Sequence, residues 1–223
     1  MKVSVLQFPG TNCEYDTKYA FEKLGAEVVV VWHEETALPE GTTLVVIPGG
    51  FSYGDYLRSG ALAKFAPIMN EVKDYAANGG KVLGICNGFQ ILTETGLLPG
   101  ALKRNDNLHF ISKYHHLKIV NNDNAFLQDL EVGEIVNIPV AHHDGNYFIE
   151  KDELKELQVN GQVLLQYCNE QGQNQVLNGS VEQIAGVCNK EKNVFGLMPH
   201  PERAMEILLG CDDGVKMLQG LLK

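Results

Sequence analysis

Along the first half of the chain, short apolar runs of strand length alternate with stretches whose apolar residues recur at helical spacing. Residues 3–8 read as a strand closed by Pro9-Gly10. A helix is predicted from Asn12 as its N-cap, with Cys13, Ala20, Phe21 and Leu24 on one face and Gly25 as its stop. Residues 27–32 form a valine-rich strand, and residues 44–47 another that ends in Pro48-Gly49-Gly50. Residues 60–78 place Leu62, Phe65, Ala66, Met69, Val72 and Tyr75 on a helical face, which predicts one long helix stopped by Gly79-Gly80. A strand over 81–85 and a helix over 87–95, halted at Gly96, complete this half. Near-continuous apolar strands alternating with helices imply a parallel sheet covered on both faces. Beyond residue 107 the pattern turns strand-rich, with segments at 117–120, 134–140, 162–167, 184–188 and 194–198. Helices over 204–209 and 214–222 are predicted to close the chain. The fold class is α/β, an open and mainly parallel sheet with an antiparallel extension.

Composition narrows the picture. The 223 residues are 44% hydrophobic, carry no Pro/Ser-rich linker and no repeat, and fit one domain spanning residues 1–223. Eighteen basic against 28 acidic residues leave a net charge of -10, which disfavours nucleic acid and anionic membranes as partners. The N-terminal apolar run is too brief for a signal peptide, and the run at 28–32 is far below the roughly 20 residues of a membrane span. Five cysteines, at 13, 86, 168, 188 and 211, include no CxxC pair. That argues against a disulfide framework and a cysteine-rich metal site, and a cytoplasmic chain without a bound metal is expected.

Three motifs fall where strands end, the usual ligand position of an open parallel sheet. Gly84-Ile85-Cys86-Asn87-Gly88 joins a strand to a helix in the pattern of a nucleophile elbow, with cysteine as the nucleophile. The glycines permit a sharp turn that projects the sulfur, and the helix N-terminus favours a thiolate. Pro199-His200-Pro201-Glu202-Arg203-Ala204 follows the strand at 194–198. Pro201 biases His200 toward an extended conformation, and residues i and i+2 of an extended segment face the same way. His200 and Glu202 are therefore expected to form a base and its orienting carboxylate. The third motif, at 48–58, begins Pro48-Gly49-Gly50-Phe51 and matches neither common phosphate-binding glycine pattern. Its backbone near Gly50 and Phe51, with the N–H of Asn87, is a candidate oxyanion hole. The pairs His115-His116 and His142-His143 are read as core or surface histidines, and Cys168 and Cys188 as packed thiols.

Together GICNGFQIL, GLMPHPERA and GGFSYGDYLR resemble the triad (class I) glutamine amidotransferases, and among them the glutaminase subunits that serve purine biosynthesis. FPGTNC near the start, LPGAL at 98–102, and NGS followed by IAGV extend the resemblance over essentially the whole chain. It implies a flavodoxin-like sheet, with Cys86 attacking the side-chain amide of glutamine, His200 as general base and later acid, and Glu202 orienting it. It implies oxyanion donors near Gly50, Phe51 and Asn87, and a contact from Gln90 to the substrate. It further implies ammonia transfer to a large synthetase subunit that uses ATP and Mg, with a small accessory subunit, and no cofactor held by this chain. His143-Asp144 departs from the family, which usually has Gly followed by an acidic or variable residue there. Two other readings stay open: a stand-alone glutamine or γ-glutamyl hydrolase, or another triad amidotransferase, and a non-catalytic redox-sensing module on the same scaffold.

Overall fold

The computed structural model describes Met1–Lys223. In chain order its strands are β1 (Lys2–Gln7), β2 (Glu27–Trp32), β3 (Thr42–Ile47), β4 (Lys81–Ile85), β5 (Ala101–Lys103) and β6 (Ile111–Ile119). They continue with β7 (Ile135–His142), β8 (Asn146–Phe148), β9 (Val163–Cys168), β10 (Ile184–Cys188) and β11 (Val194–Leu197). The helices are α1 (Glu14–Lys23), α2 (Ile68–Ala77), α3 (Asn87–Glu94), α4 (Lys151–Val159) and α5 (Asp213–Gln219). Nine strands form one sheet in the order β2-β1-β3-β4-β11-β10-β9-β6-β7, while β5 and β8 pair separately.

The first five strands of that order are parallel and the last four join antiparallel, so the α/β class and its antiparallel extension are as the sequence implied. β3 and β4 are buried almost throughout, as strands covered on both sides must be, whereas β7 alternates half-buried and buried residues. The connections from β1 lead first to β2 on one side and then to β3 on the other. That reversal opens a crevice at the carboxyl ends of the parallel strands. Beneath it, 55 buried residues form one hydrophobic cluster. No helix is long and apolar enough to cross a membrane.

Several elements differ from expectation. The long helix over 60–78 is instead a 3-10 turn, Ala63–Phe65, followed by α2. Pro67 forces the break: Ala66 before it is extended (φ -63°, ψ 138°), and α2 starts afresh after the proline. Ile68, Met69 and Val72 of α2 are fully buried, worth roughly 1.5–3 kcal/mol each relative to exposure. The helix over 204–209 is absent: residues Ile207–Leu209 make one 3-10 turn whose apolar side chains are exposed. With nothing to bury that face, helical periodicity has no packing to reward it. Cys13 rather than Asn12 occupies the cap of α1, and no side chain closes the cap. The charged helix α4 was not expected, since only Leu157 is buried and no clear apolar stripe marks it.

Candidate active site

Cys86 sits between β4 and α3 at φ 50°, ψ -105°, a conformation that costs a non-glycine residue about 1–3 kcal/mol. Hydrogen bonds on both sides hold it there. Its N–H donates to the Leu197 carbonyl at 2.8 Å, and its carbonyl accepts from Gln90 N–H at 3.2 Å. The flanking glycines are required by close approach. A Cβ on Gly88 would lie 1.9 Å from the Ile47 carbonyl oxygen, and one on Gly84 would lie 2.6 Å from the Gly88 carbonyl oxygen. The thiol is 6% exposed, faces the Ala141 carbonyl at 3.6 Å, and lines a pocket of about 390 Å³ at the carboxyl ends of the strands.

His200 lines the same pocket. Its N–H donates to the Pro139 carbonyl at 2.8 Å, which ties the end of β11 to β7. The extended segment expected here is replaced at once by a 3-10 turn, Pro201–Arg203. Proline at the first turn position directs this, its fixed φ suiting a helical start. Glu202 still reaches back, and its Oε1 accepts from His200 Nδ1 at 2.6 Å with both side chains buried. A proton held on Nδ1 leaves Nε2 as the reactive nitrogen, and no protein group bonds to it. Burial works against charge on His200, but the Glu202 carboxylate and the Cys86 sulfur outweigh it and raise its pKa well above the ordinary value. His200 and Cys86 meet over Gly49, where a Cβ would lie 2.7 Å from His200 Cε1 and 3.5 Å from Cys86 Cβ.

The glycine loop after β3 contributes less than its two nominated residues. Phe51 N–H donates to the Gly10 carbonyl at 2.9 Å, so it is already committed. Gly50, at φ 150°, has no backbone acceptor for its N–H and lines the pocket. The N–H of Asn87, first residue of α3, belongs to the unsatisfied donors of a helix start. The Asn87 side chain accepts from Ser52 N–H at 3.1 Å and donates to Gln90 Oε1 at 2.9 Å. Gln90 Nε2 in turn donates to the Asp144 carbonyl at 2.7 Å. Gln90 therefore braces the pocket wall with both ends of its amide. The resulting chain Ser52–Asn87–Gln90–Asp144 couples two loops, one after β3 and one after β7, to the start of α3.

Other residues enter the site without having been nominated. Cys13 is buried at its floor, with its ligand atom and those of His200 and Glu202 all within 4.8 Å of one another. These donor types suit a soft metal, yet the His200–Glu202 hydrogen bond turns imidazole and carboxylate toward each other, as in an acid–base pair. Arg203 bridges Cys13 Sγ (3.1 Å) and Asp16 (3.0 Å), fastening the His200 turn to α1. The signal for Cys13 was its place just past a strand-ending Pro-Gly, which is where pocket residues gather in this architecture. Asp55 faces the pocket beside Asp144, and burial followed by that neighbouring charge pushes its pKa up to about 6. His142, read as a core or surface residue, also lines the pocket, while His115 is buried elsewhere against Tyr167.

A family model described as a CobB/CobQ-like glutamine amidotransferase domain matches residues 1–209. The phosphoribosylformylglycinamidine synthase subunit PurQ of Sulfurimonas denitrificans is 66% identical over 223 residues, covering all of both chains. That of Wolinella succinogenes is 65% identical over 221 residues, 99% of each chain. Among solved structures, the "Structure of PurLQS from Thermotoga maritima" contains a chain that is 43% identical with a TM-score of 0.90, matched over 99% of this chain and 97% of its own. Full-length likeness at these levels, on a sheet whose strand ends gather a cysteine elbow and a His–Glu pair, means that the chain belongs to the glutamine amidotransferase family, in the branch formed by phosphoribosylformylglycinamidine synthase subunit PurQ.

Proposed function

We propose that this chain is the glutaminase subunit of a phosphoribosylformylglycinamidine synthase, releasing ammonia from glutamine for a synthetase subunit in purine biosynthesis. The observation that carries the catalytic reading is the buried 2.6 Å His200–Glu202 pair facing the strained Cys86 elbow across Gly49. The Cys86 thiol passes its proton to His200 Nε2 and its sulfur attacks the side-chain carbonyl carbon of glutamine, whose oxygen takes up negative charge. The N–H groups of Gly50 and Asn87 stabilise that oxygen, a role worth about 3–4 kcal/mol per donor. His200 Nε2 gives its proton to the departing nitrogen, so the C–N bond breaks, ammonia leaves and a thioester remains. The same nitrogen then takes a proton from water, which adds to the thioester and releases glutamate and the thiol. Glu202 holds the imidazole in the required tautomer throughout.

Ammonia released to water at neutral pH is protonated and loses its nucleophilicity, so the chemistry calls for a docked acceptor enzyme. We assign that role to the large synthetase subunit, with a small accessory subunit and ATP bound by the synthetase; the setting is cytoplasmic. The test is glutamate release from glutamine by the purified chain, alone and with both partner subunits, ATP and acceptor. Strong activation by the partners, abolished by Cys86→Ala, is the expected result. Equal activity with and without partners would identify a stand-alone hydrolase, and inactivity in both conditions would remove the catalytic reading.

A further inference from the structure

His142 ends β7 inside the pocket shared by Cys86 and His200, is 3% exposed, and is given no part in the triad chemistry. Its tautomer can be read from its neighbours. Asn105, fully buried, donates from Nδ2 to the carbonyls of His109 (2.9 Å) and His142 (3.0 Å). Those two acceptors fix which end of the amide is nitrogen. The Asn105 Oδ1 on the other side accepts from Gly145 N–H at 3.0 Å and faces His142 Nδ1 at 3.2 Å. An oxygen cannot donate, so Nδ1 carries the ring proton and Nε2 presents a lone pair. The hydrogen bond to Asn105 holds the ring in this orientation, and the ring lies so close to Gly145 that a Cβ there would come within 2.4 Å of Nδ1. Asn178 holds Gly145 from behind, donating to its carbonyl at 2.7 Å. Burial, with the charge of His200, lowers the pKa of His142 to about 4, so the ring is neutral at physiological pH.

His142 Nε2 is thus a rigid acceptor with no protein donor. Leaving such a buried acceptor unpaired is costly, and a ligand donor would supply the missing hydrogen bond. Of the two groups on the reacting carbon of glutamine, the oxygen is directed to the backbone N–H groups and the nitrogen carries two N–H donors. Glutamate, the product, has no donor there when ionised.

We propose that His142 is a specificity-determining residue whose Nε2 accepts an N–H of the substrate carboxamide, so that the site selects the amide of glutamine and rejects the carboxylate of glutamate. This rests on the glutaminase reading. The experiment measures kcat/KM in the complete complex for glutamine and for glutamic acid γ-methyl ester, which delivers the same acyl group to Cys86 without an N–H on the reacting carbonyl. Because kcat/KM for both reports formation of the same thioester, their ratio is independent of the fraction of enzyme folded.

In His142→Phe the amide-to-ester ratio is expected to fall by about 10-fold or more, the effect of leaving a substrate donor without its acceptor. Inhibition by glutamate should tighten in the same variant. His142→Gln, which offers a carbonyl oxygen, should recover part of the ratio. If His142→Phe does not fold, Gly145→Ala displaces the ring while keeping it and should lower the ratio in the same direction. A parallel fall on both substrates, with the ratio and glutamate inhibition unchanged, would overturn the proposal and leave His142 a structural residue. A wild-type complex that cleaves neither substrate would instead overturn the glutaminase reading, and the proposal with it.

Discussion

Adding one methyl group at Gly88 tests whether the contact between α3 and β3 sets the position of the nucleophile. The new Cβ would lie 1.9 Å from the Ile47 carbonyl oxygen, about 1.1 Å short of the 3.0 Å below which such contacts essentially never occur. Ile47 cannot yield, because it is fully buried and its strand is paired on both sides, to β1 and to β4. The start of α3 must therefore retreat by more than about 1 Å, carrying Asn87 N–H with it and pulling on Cys86. A displacement of that size at reacting atoms costs on the order of 100-fold in rate, equivalent to about 2.7 kcal/mol of transition-state stabilisation. Overpacking should cost only about 1–3 kcal/mol of stability, which lowers the melting point of a chain this size by roughly 2–4 °C per kcal/mol. The assay pairs kcat/KM for glutamine, measured with the partner subunits at 25 °C, with a thermal melt of the free chain. A Gly88→Ala protein that is folded at 25 °C and about 100-fold impaired is the expected result. A folded variant within about 3-fold of wild type would show that helix position does not control the chemistry, contradicting the distance argument.

Three further outcomes follow from the same geometry. Glu202→Gln should lower kcat by about 10²–10⁴-fold, because an amide can stabilise the wrong imidazole tautomer. The limb of the pH–rate profile governed by His200 should also move to lower pH, since the Glu202 charge helps raise that pKa; an unshifted profile would count against the pairing. Asp55→Asn should raise the melting temperature at pH 8, with the gain vanishing as the pH falls below about 6. The sign follows from the raised pKa: folding favours protonated Asp55, so that stabilisation is full in acid and lost as pH rises through about 6, where the charged form meets burial and Asp144. Melting curves at both pH values decide it. Gln90→Leu removes hydrogen bonds to Asn87 and Asp144 and should raise KM for glutamine by about 5–20-fold, at roughly 1 kcal/mol net per bond. Steady-state kinetics showing a loss confined to kcat would refute its bracing role.

The parallel half of the fold was legible because its strands are buried on both faces and read as unbroken apolar runs with glycine or proline at their ends. Where the pattern misled, burial explains why. The apolar periodicity of residues 60–78 is real, yet Pro67 divides it, and Leu62 and Phe65 lie on the far side of that break. Ile207, Leu208 and Leu209 mimic a buried helical turn, but no element packs against them. In α4 the reverse holds: six of its nine residues are charged or amide side chains, and tertiary context makes the helix without an apolar stripe to announce it.

The candidate site divides along the same line between local and assembled features. Cys86 with its glycines, and His200 with Glu202, are each encoded within a few consecutive residues, because a sharp turn at a strand end requires particular neighbours in sequence. His142 has no such local signature. Its tautomer and ring orientation depend on Asn105, the space for its ring on Gly145, and the position of Gly145 on Asn178, residues brought together by separate loops. From sequence alone, His142-His143 was an ordinary histidine pair, and Asn178-Gly179-Ser180 entered only as one segment of a wider resemblance. In the folded chain Asn178 and Ser180 are buried, and Ser180 Oγ accepts from Tyr147 N–H at 2.9 Å, so this segment supports the wall that carries His142. A nucleophile can be read from a motif because strain is local. An acceptor held in one tautomer becomes visible only when the hydrogen-bonding partners of its other nitrogen have been traced through the fold.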